Sequence, residues 1–267
     1  MAVNHYENFP VASFLLPRQF RHPVARIYRF AREADDFADE GDLPDTARLE
    51  RLERFREQLR RIERGAAPDI PWFAELADII RRHRLPVVLF ADLLSAFSQD
   101  VTKKRYADFA EVLDYCRRSA NPVGRLLLHL FGRATSENLA PSDAICSALQ
   151  LVNFWQDVEL DYAKGRVYLP QDEMERYGVT ERHIAERRCD DAWRALIGFQ
   201  IGRTRAMLES GGALGHRLPG RIGLEIRTTV RGGLRILEKL ERTRCDMFRH
   251  RPALEWFDWP LLLARAL

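Results

Sequence analysis

The sequence has few cysteines, no long apolar run and no strong excess of one charge, and each absence excludes a class of protein. No window approaches the roughly 18 apolar residues of a membrane-spanning helix, and the first twenty residues lack the pattern of a signal peptide. The few cysteines are widely spaced and form no CxxC pair or Cys/His cluster, which argues against a zinc site or a disulfide framework. They are Cys116, Cys146, Cys189 and Cys245. We expect a cytoplasmic protein that at most attaches peripherally to the inner face of a membrane.

The charge of the chain is nearly balanced. There are 42 Lys and Arg residues against 39 Asp and Glu, and the two signs are interleaved along most of the sequence. Such a weak positive excess argues against a nucleic-acid partner. Apolar residues recur at helical spacing in nearly every segment, and almost none alternate with a period of two. The sequence therefore predicts an all-α helical bundle in a single domain over residues 1–267.

Proline and glycine divide the chain into predicted helices of about 15 to 25 residues. One helix is predicted over residues 45–64, where several apolar residues share one face. Another is predicted to follow Pro23 and to end near Gly41, and a third to follow an N-cap at Ser142. The remaining breaks are predicted near Pro86 and Pro122 and in the segments 41–44, 65–71, 132–141, 165–170 and 211–220.

Acidic residues are concentrated in the segment ADDFADEGD, residues 34–42, where five of nine side chains are acidic. Tyr28, Arg32, Asp35 and Asp39 have offsets of 0, 4, 7 and 11, which places them in one polar stripe of a helix. The Cβ atoms of Asp35 and Asp39 would lie roughly 6 Å apart, so their charges repel unless a cation lies between them. Two interpretations stay open for this stripe alone: a solvated acidic helix end or a ligand site.

A second polar stripe favours the ligand site. Its members have offsets of 0, 3, 7, 11 and 14 in a stretch that is otherwise apolar nearly all round, and they are Gln150, Asn153, Asp157, Asp161 and Lys164. A buried helix with one polar stripe usually lines a cavity, because buried carboxylates need partners. Carboxylate and amide oxygens from two helices suit Mg²⁺ together with substrate phosphates. Arg32, Lys164 and Arg166 would neutralise phosphate oxygens that the metal does not cover.

Three stretches resemble the squalene/phytoene synthase family of isoprenyl diphosphate enzymes: YRFAREADDFAD at residues 28–39, NFWQDVELD at 153–161 and GRVYLP at 165–170. The resemblance covers most of the chain and implies an isoprenoid-synthase helical bundle with a central hydrophobic tunnel. It also implies Mg²⁺ between the two aspartate motifs, held with the diphosphate by Asp35, Asp39, Asn153, Asp157 and Asp161. By the same resemblance, the substrate's diphosphate or reacting end would contact His5, Asn8, Tyr28, Arg32 and Gln150.

Other positions depart from the condensing members of the family. Arg117 and Arg125 lie near the positions where those enzymes have a tyrosine and a glutamate, and Gly232 and Gly233 stand where an aromatic residue is common. These stretches, together with HYENFPVAS near the start, resemble the bacterial hydroxysqualene synthases of hopanoid biosynthesis. That resemblance implies conversion of presqualene diphosphate and water to hydroxysqualene and diphosphate. The alternatives for Arg117, Arg118 and Arg125 are diphosphate ligands or surface charges.

Two other functions stay open at the level of sequence. A head-to-head condensing synthase that makes presqualene diphosphate, squalene or phytoene would share both aspartate motifs. An inactive helical scaffold would also fit the fold, although it has no use for repelling carboxylates. Aromatic residues such as Phe30, Phe154 and Trp155 either face a cationic intermediate or belong to the core. Homodimerisation is also open, as is the role of EWFDWPLLLARAL at residues 255–267, which either packs on the bundle or contacts a bilayer surface.

Overall fold

The computed structural model describes residues 16–267, and their regular secondary structure is helical apart from one isolated parallel bridge between Arg105 and Val167. The predicted all-α class is confirmed. His5 and Asn8 lie outside the described residues. The helices are α1 (Arg18–Asp39), α2 (Asp45–Glu63), α3 (Phe73–His83), α4 (Val87–Thr102), α5 (Phe109–Ser119), α6 (Asn121–Leu130), α7 (Ser136–Gln156), α8 (Val158–Ala163), α9 (Gln171–Arg176), α10 (Glu181–Ala185), α11 (Asp191–Gly211), α12 (Leu214–Arg217), α13 (Gly220–Arg242) and α14 (Asp258–Ala266).

Helices α1 to α4 enclose one hydrophobic cluster at the N-terminal end of the bundle. Phe30 of α1 is fully buried, and its ring centroid lies 5.2 to 5.9 Å from those of Phe55, Phe73 and Phe90. Such offset and edge-to-face contacts are typical of aromatic cores. Phe30 is therefore a core residue, and the alternative that it faces a reacting cation is wrong.

Helix α7 is the central element of the other half, where it packs against α6, α11 and α13. Trp155 near its C-terminal end is fully buried, and its indole Nε1 donates to Thr204 Oγ1 at 2.7 Å. A buried indole N–H needs such an acceptor. Trp155 thus belongs to the contact between α7 and α11.

Two of the predicted helix breaks are wrong, because Pro23 and Pro141 lie inside α1 and α7. Both prolines occupy the sixth position of their helix, where a proline leaves the carbonyl four residues earlier without its backbone donor. In α7 that carbonyl belongs to Glu137, and it accepts from Arg217 Nη1 at 2.7 Å. Helix α7 therefore starts at Ser136, and the predicted N-cap at Ser142 is wrong. The other breaks agree with the structure.

The segment 164–170 is fixed beside the end of α4. Val167 N donates to Lys104 O at 3.0 Å, and Gln171 N donates to Tyr106 O at 2.9 Å. These bonds surround the bridge between Arg105 and Val167. They place Arg166 and Tyr168 next to the buried end of α4.

The C-terminal run packs on the bundle, since Leu262 and Ala266 of α14 are buried against α13. Among residues 16–267, no helix combines the length and the apolar character that crossing a bilayer requires.

Candidate active site

The first acidic stripe occupies the last two turns of α1. Ala34 and Ala38 are buried, and this fixes the rotation of α1 about its axis. Asp35 and Asp39 therefore lie at the edge of the core. Arg32 lies one turn earlier, with its guanidinium 2.7 Å from Asp36 and 3.6 Å from Asp35. Tyr28 is half-buried on the same helix. The predicted stripe of α1 is therefore present.

The second stripe crosses a break that the sequence did not predict. Helix α7 ends at Gln156 and α8 begins at Val158, so Asp157 lies between them with φ −109° and ψ 17°. The helical pitch nevertheless continues, because Asp157 N donates to Asn153 O at 2.9 Å and Asp161 N to Asp157 O at 2.8 Å. The spacing predicts that one side of the helix presents Asn153, Asp157 and Asp161, and this arrangement is consequently retained across the break.

Arg166 joins the two stripes. Its backbone N–H donates to Asp161 O at 2.8 Å, which ties the residue to α8. Its guanidinium reaches across to α1 and binds both oxygens of Asp39, at 2.6 and 2.7 Å. Lys164 adds a contact to the same carboxylate at 3.1 Å. Because Arg166 is buried and its contact is bidentate, this pair is rigid as well as strong.

The carboxylates of the site differ in how well their charge is balanced. Burial alone would raise the pKa of Asp39, but Arg166 and Lys164 lower it below its usual value. Desolvation and repulsion by Asp39 raise the pKa of Asp35 to about 7, although 36% of that side chain is exposed. Desolvation raises the pKa of Asp161 to about 7, with repulsion from Asp157 and Asp39 adding to it and Arg166 opposing it. The site therefore has more negative charge than its own cations balance.

Asp100 of α4 is a further carboxylate of this region, and sequence reasoning missed it. It is buried and accepts from Tyr115 Oη at 2.6 Å and from Tyr168 Oη at 3.0 Å. Tyr168 stacks on Phe154, with ring centroids 3.8 Å apart and planes 8° from parallel. The available signal was an aspartate within the apolar stretch LLSAFSQDV. A buried carboxylate of this kind usually has a specific partner.

A second unpredicted residue is Arg251, from the segment between α13 and α14. Its Nε and Nη2 donate to the two oxygens of Asp157, the second at 3.1 Å. Ninety-four residues separate the two partners in the chain. No local sequence pattern predicts a contact between residues so far apart in the chain, so the sequence offered no signal for it.

The remaining residues that the sequence predicted for the site do not all lie at the acidic stripes. Gln150 and Asn153 are half-buried, and their side chains make no hydrogen bond within the described part of the chain. Arg117 is half-exposed and binds Asp114 at 2.7 Å, so the structure supports the surface-charge alternative for it and does not bring it to the acidic stripes. Arg125 likewise binds Asp143.

The donor set fits Mg²⁺ in its chemistry. As the side chains stand, residues 16–267 contain no group of three or more His, Cys, Asp or Glu residues able to hold a metal ion. Asp39 and Asp157 instead point to Arg166 and Arg251. The carboxylates are nonetheless hard oxygen ligands of the kind Mg²⁺ prefers. The raised pKa values of Asp35 and Asp161 also indicate negative charge that a dication would balance.

A small pocket opens beside these groups, lined by Phe154, Val158, Asp161, Arg166, Val167, Tyr168 and Leu169. It combines apolar and aromatic surface with one carboxylate and one guanidinium. The predicted central tunnel stays a prediction.

This fold and site define a class: helical enzymes that process isoprenoid diphosphates. The profile for squalene/phytoene synthase matches residues 2–258, and the chain belongs to that family.

The individual relatives have different activities within this family. The chain is 36% identical over 238 residues to a hydroxysqualene synthase of Rhodopseudomonas palustris, which covers 88% of this chain and 80% of that protein. It is 34% identical over 199 residues to a phytoene synthase of Mycobacterium tuberculosis, covering 73% and 65% respectively. The crystal structure of squalene synthase HpnC from Alicyclobacillus acidocaldarius has a TM-score of 0.82 at 36% identity, over 90% of each chain.

Proposed function

We propose that this protein is a Mg²⁺-dependent hydroxysqualene synthase. It would convert presqualene diphosphate and water to hydroxysqualene and diphosphate, a step that serves squalene and hopanoid formation. The observation that carries the proposal is the junction of the two acidic stripes by Arg166, at a small pocket whose other walls are mainly apolar and aromatic. Identity of 36% to the hydroxysqualene synthase of Rhodopseudomonas palustris supports this branch of the family.

The two stripes supply the groups that would hold the diphosphate. Asp35, Asp39, Asn153, Asp157 and Asp161 would hold Mg²⁺, which when bound supplies positive charge to the departing diphosphate. Protein cations contribute to the same end, because a preorganised positive charge stabilises the negative charge that develops as a C–O bond breaks. Buried Arg166 is fixed for this role, and Lys164 lies beside it with about half of its side chain exposed.

The carbon chemistry would take place against the aromatic wall formed by Phe154 and Tyr168, which line the pocket. Loss of diphosphate from presqualene diphosphate leaves a cyclopropylcarbinyl cation, which must rearrange before water captures it. The stacked rings of Phe154 and Tyr168 offer π faces that stabilise positive charge, and they exclude bulk water. Addition of one water to the rearranged cation, with loss of a proton, then gives the alcohol. No hydride donor takes part in this sequence.

The alternative is a condensing synthase, and the 34% identity to a phytoene synthase supports it. Both activities use the acidic stripes, so the two differ in the substrate accepted and in the fate of the cation. The deciding experiment incubates the purified protein with Mg²⁺ and without NADPH. Presqualene diphosphate and farnesyl diphosphate are supplied in separate tubes, and the products are identified by mass spectrometry. Hydroxysqualene from the first substrate alone supports the proposal, whereas presqualene diphosphate or phytoene-type products from a condensation reaction would replace it.

A variant tests whether the second stripe is catalytic. We expect Asp157→Asn to abolish turnover while leaving the helical circular dichroism nearly unchanged, since asparagine keeps one acceptor oxygen for Arg251. Glu159→Gln is the matched control, because this neighbouring acid of α8 pairs with Arg187 on the surface. Equal losses of activity in both variants, or unfolding of the first, would mean that Asp157 has a structural role.

A further inference from the structure

Asp100 of α4 is a buried carboxylate that lies behind the pocket without lining it. It forms no ion pair within residues 16–267, and Lys104 Nζ donates to its backbone carbonyl instead, at 2.6 Å. Burying an ionised carboxylate without a cation in contact costs stability. A role in packing alone therefore does not explain an aspartate at this position.

The two carboxylate oxygens of Asp100 are shared between two tyrosines, one of which reaches the pocket. Oδ2 accepts from Tyr115 Oη at 2.6 Å, and Oδ1 accepts from Tyr168 Oη at 3.0 Å. The ring of Tyr168 lies flat on that of Phe154, and both rings line the pocket together with Arg166. Asp100 is thus connected to the pocket through the hydroxyl of Tyr168.

This hydrogen bond has two physical effects on the Tyr168 ring. It fixes the orientation of the phenol, so that the stack with Phe154 is held before any substrate binds. It also polarises the phenol, because an O–H that donates to a carboxylate leaves more negative charge on the oxygen and the ring, most of all where water is excluded. The attraction between a cation and an aromatic face is electrostatic, so a more negative ring stabilises a nearby cation better.

We infer that Asp100 is a positioning residue of the proposed reaction and acts through Tyr168. Its carboxylate holds the Tyr168 ring against Phe154 and makes the face of that ring more negative toward the cation that remains when diphosphate departs. No bond forms or breaks at Asp100, and it transfers no proton in this role. The inference rests on the proposed function, because it requires a cationic intermediate in the pocket.

The test compares Asp100→Asn, Tyr168→Phe and the variant that combines them. The release of diphosphate is measured with Mg²⁺ at pH 8, from presqualene diphosphate and from farnesyl diphosphate in separate reactions. We expect each single variant to lower kcat about tenfold with KM nearly unchanged, because the contact with the cation exists only after the C–O bond breaks.

The combined variant shows whether Asp100 acts through Tyr168. If it does, the combined variant should be no slower than either single variant, since both changes remove the same hydrogen bond. A loss of about a hundredfold would mean that the two side chains act independently, for instance through the charge of Asp100 on Arg166, and would overturn the inference.

Tyr106→Phe is the matched control. The ring of Tyr106 also stacks on Tyr168, with centroids 5.4 Å apart, but its hydroxyl accepts from Gln99 Nε2 at 3.2 Å. We expect this variant to retain kcat within about twofold. A loss as large as that of Tyr168→Phe would mean that removing any hydroxyl from this aromatic cluster disturbs the site, and the inference would fall.

Failure of the inference and failure of the proposed function give different results. An unchanged kcat in Asp100→Asn, while hydroxysqualene is still formed, would overturn the inference alone. A condensation product from farnesyl diphosphate, with presqualene diphosphate left unreacted, would overturn the hydroxysqualene reaction alone, since the same comparison of variants then applies to farnesyl diphosphate. No release of diphosphate from either substrate by the unchanged protein would overturn both. A parallel loss of stability and of kcat in Asp100→Asn, measured by urea unfolding, would give Asp100 a structural role instead.

Discussion

Asp100 and Asp258 are two buried aspartates whose replacement by asparagine should change stability in opposite directions. Both are almost completely inaccessible, at 3% and 1% exposure. The carboxylate of Asp100 accepts from two tyrosine hydroxyls and forms no ion pair within residues 16–267, and burial raises its pKa from 3.8 to about 6. The charged form of Asp100 is therefore unfavourable in the folded protein.

The magnitude follows from that pKa. A carboxyl group whose folded pKa is raised contributes its full stability below the unfolded pKa near 4 and loses it as the pH rises through about 6. Above pH 6 the ionised Asp100 thus costs about 3 kcal/mol. Asparagine removes the charge but requires one tyrosine hydroxyl to find a new geometry, at about 1 kcal/mol. We expect Asp100→Asn to raise the free energy of unfolding by about 2 kcal/mol at pH 8, which corresponds to roughly 4 to 8 °C in melting temperature.

Asp258 is the matched control. Burial alone would raise its pKa, but hydrogen bonds from Lys239, from the backbone N–H of Glu255 and from Arg235 lower it to about 2. The stability from this group is present above pH 4 and is lost as the pH falls through about 2. Replacing Asp258 by asparagine removes the carboxylate that Arg235 and Lys239 share and leaves them only Glu238 and Glu255, so we expect a loss of about 2 kcal/mol at neutral pH.

The assay is urea unfolding followed by circular dichroism, at pH 4 and at pH 8 and without added Mg²⁺. The advantage of Asp100→Asn should disappear at pH 4, where the original carboxyl is mostly protonated and only the cost of the rearranged tyrosine hydroxyl remains. A loss of stability at pH 8, or a gain that does not depend on pH, would refute the reasoning. A loss would mean that the tyrosine hydroxyls fully compensate the buried charge, and a gain independent of pH would mean that it does not come from removing that charge.

Two further predictions concern packing and the site. Gly223→Ala should cost about 2 kcal/mol in unfolding free energy, because a Cβ there would lie 2.3 Å from the carbonyl oxygen of Leu218. Gly202→Ala, where nothing lies within 4 Å, should instead gain about 0.5 to 1 kcal/mol, and equal effects would contradict this packing. Arg166→Lys should keep the fold but lower kcat for the proposed reaction at least about tenfold, because lysine cannot make the bidentate contact. An unchanged kcat would show that Arg166 is needed only as a charge.

The helical periodicity of the apolar residues was sufficient to predict much of the fold. Residues 45–64 were predicted as a helix, and α2 covers Asp45–Glu63 with Leu52, Phe55 and Leu59 buried. The predicted helix break at Pro141 is wrong. A proline breaks a helix only if the carbonyl that it leaves unpaired, here that of Glu137, finds no other donor. Arg217, from a distant helix, supplies that donor.

The sequence by itself determined the two acidic stripes, because residues three and four apart share one side of any α-helix. It could not determine how their charges are balanced. Arg166 reaches Asp39 across 127 residues, and Arg251 reaches Asp157 across 94. Such contacts depend on how helices and loops pack, as does the burial that raises the pKa of Asp161. The ligand groups are therefore set by local spacing, whereas their electrostatic state arises only in the folded chain.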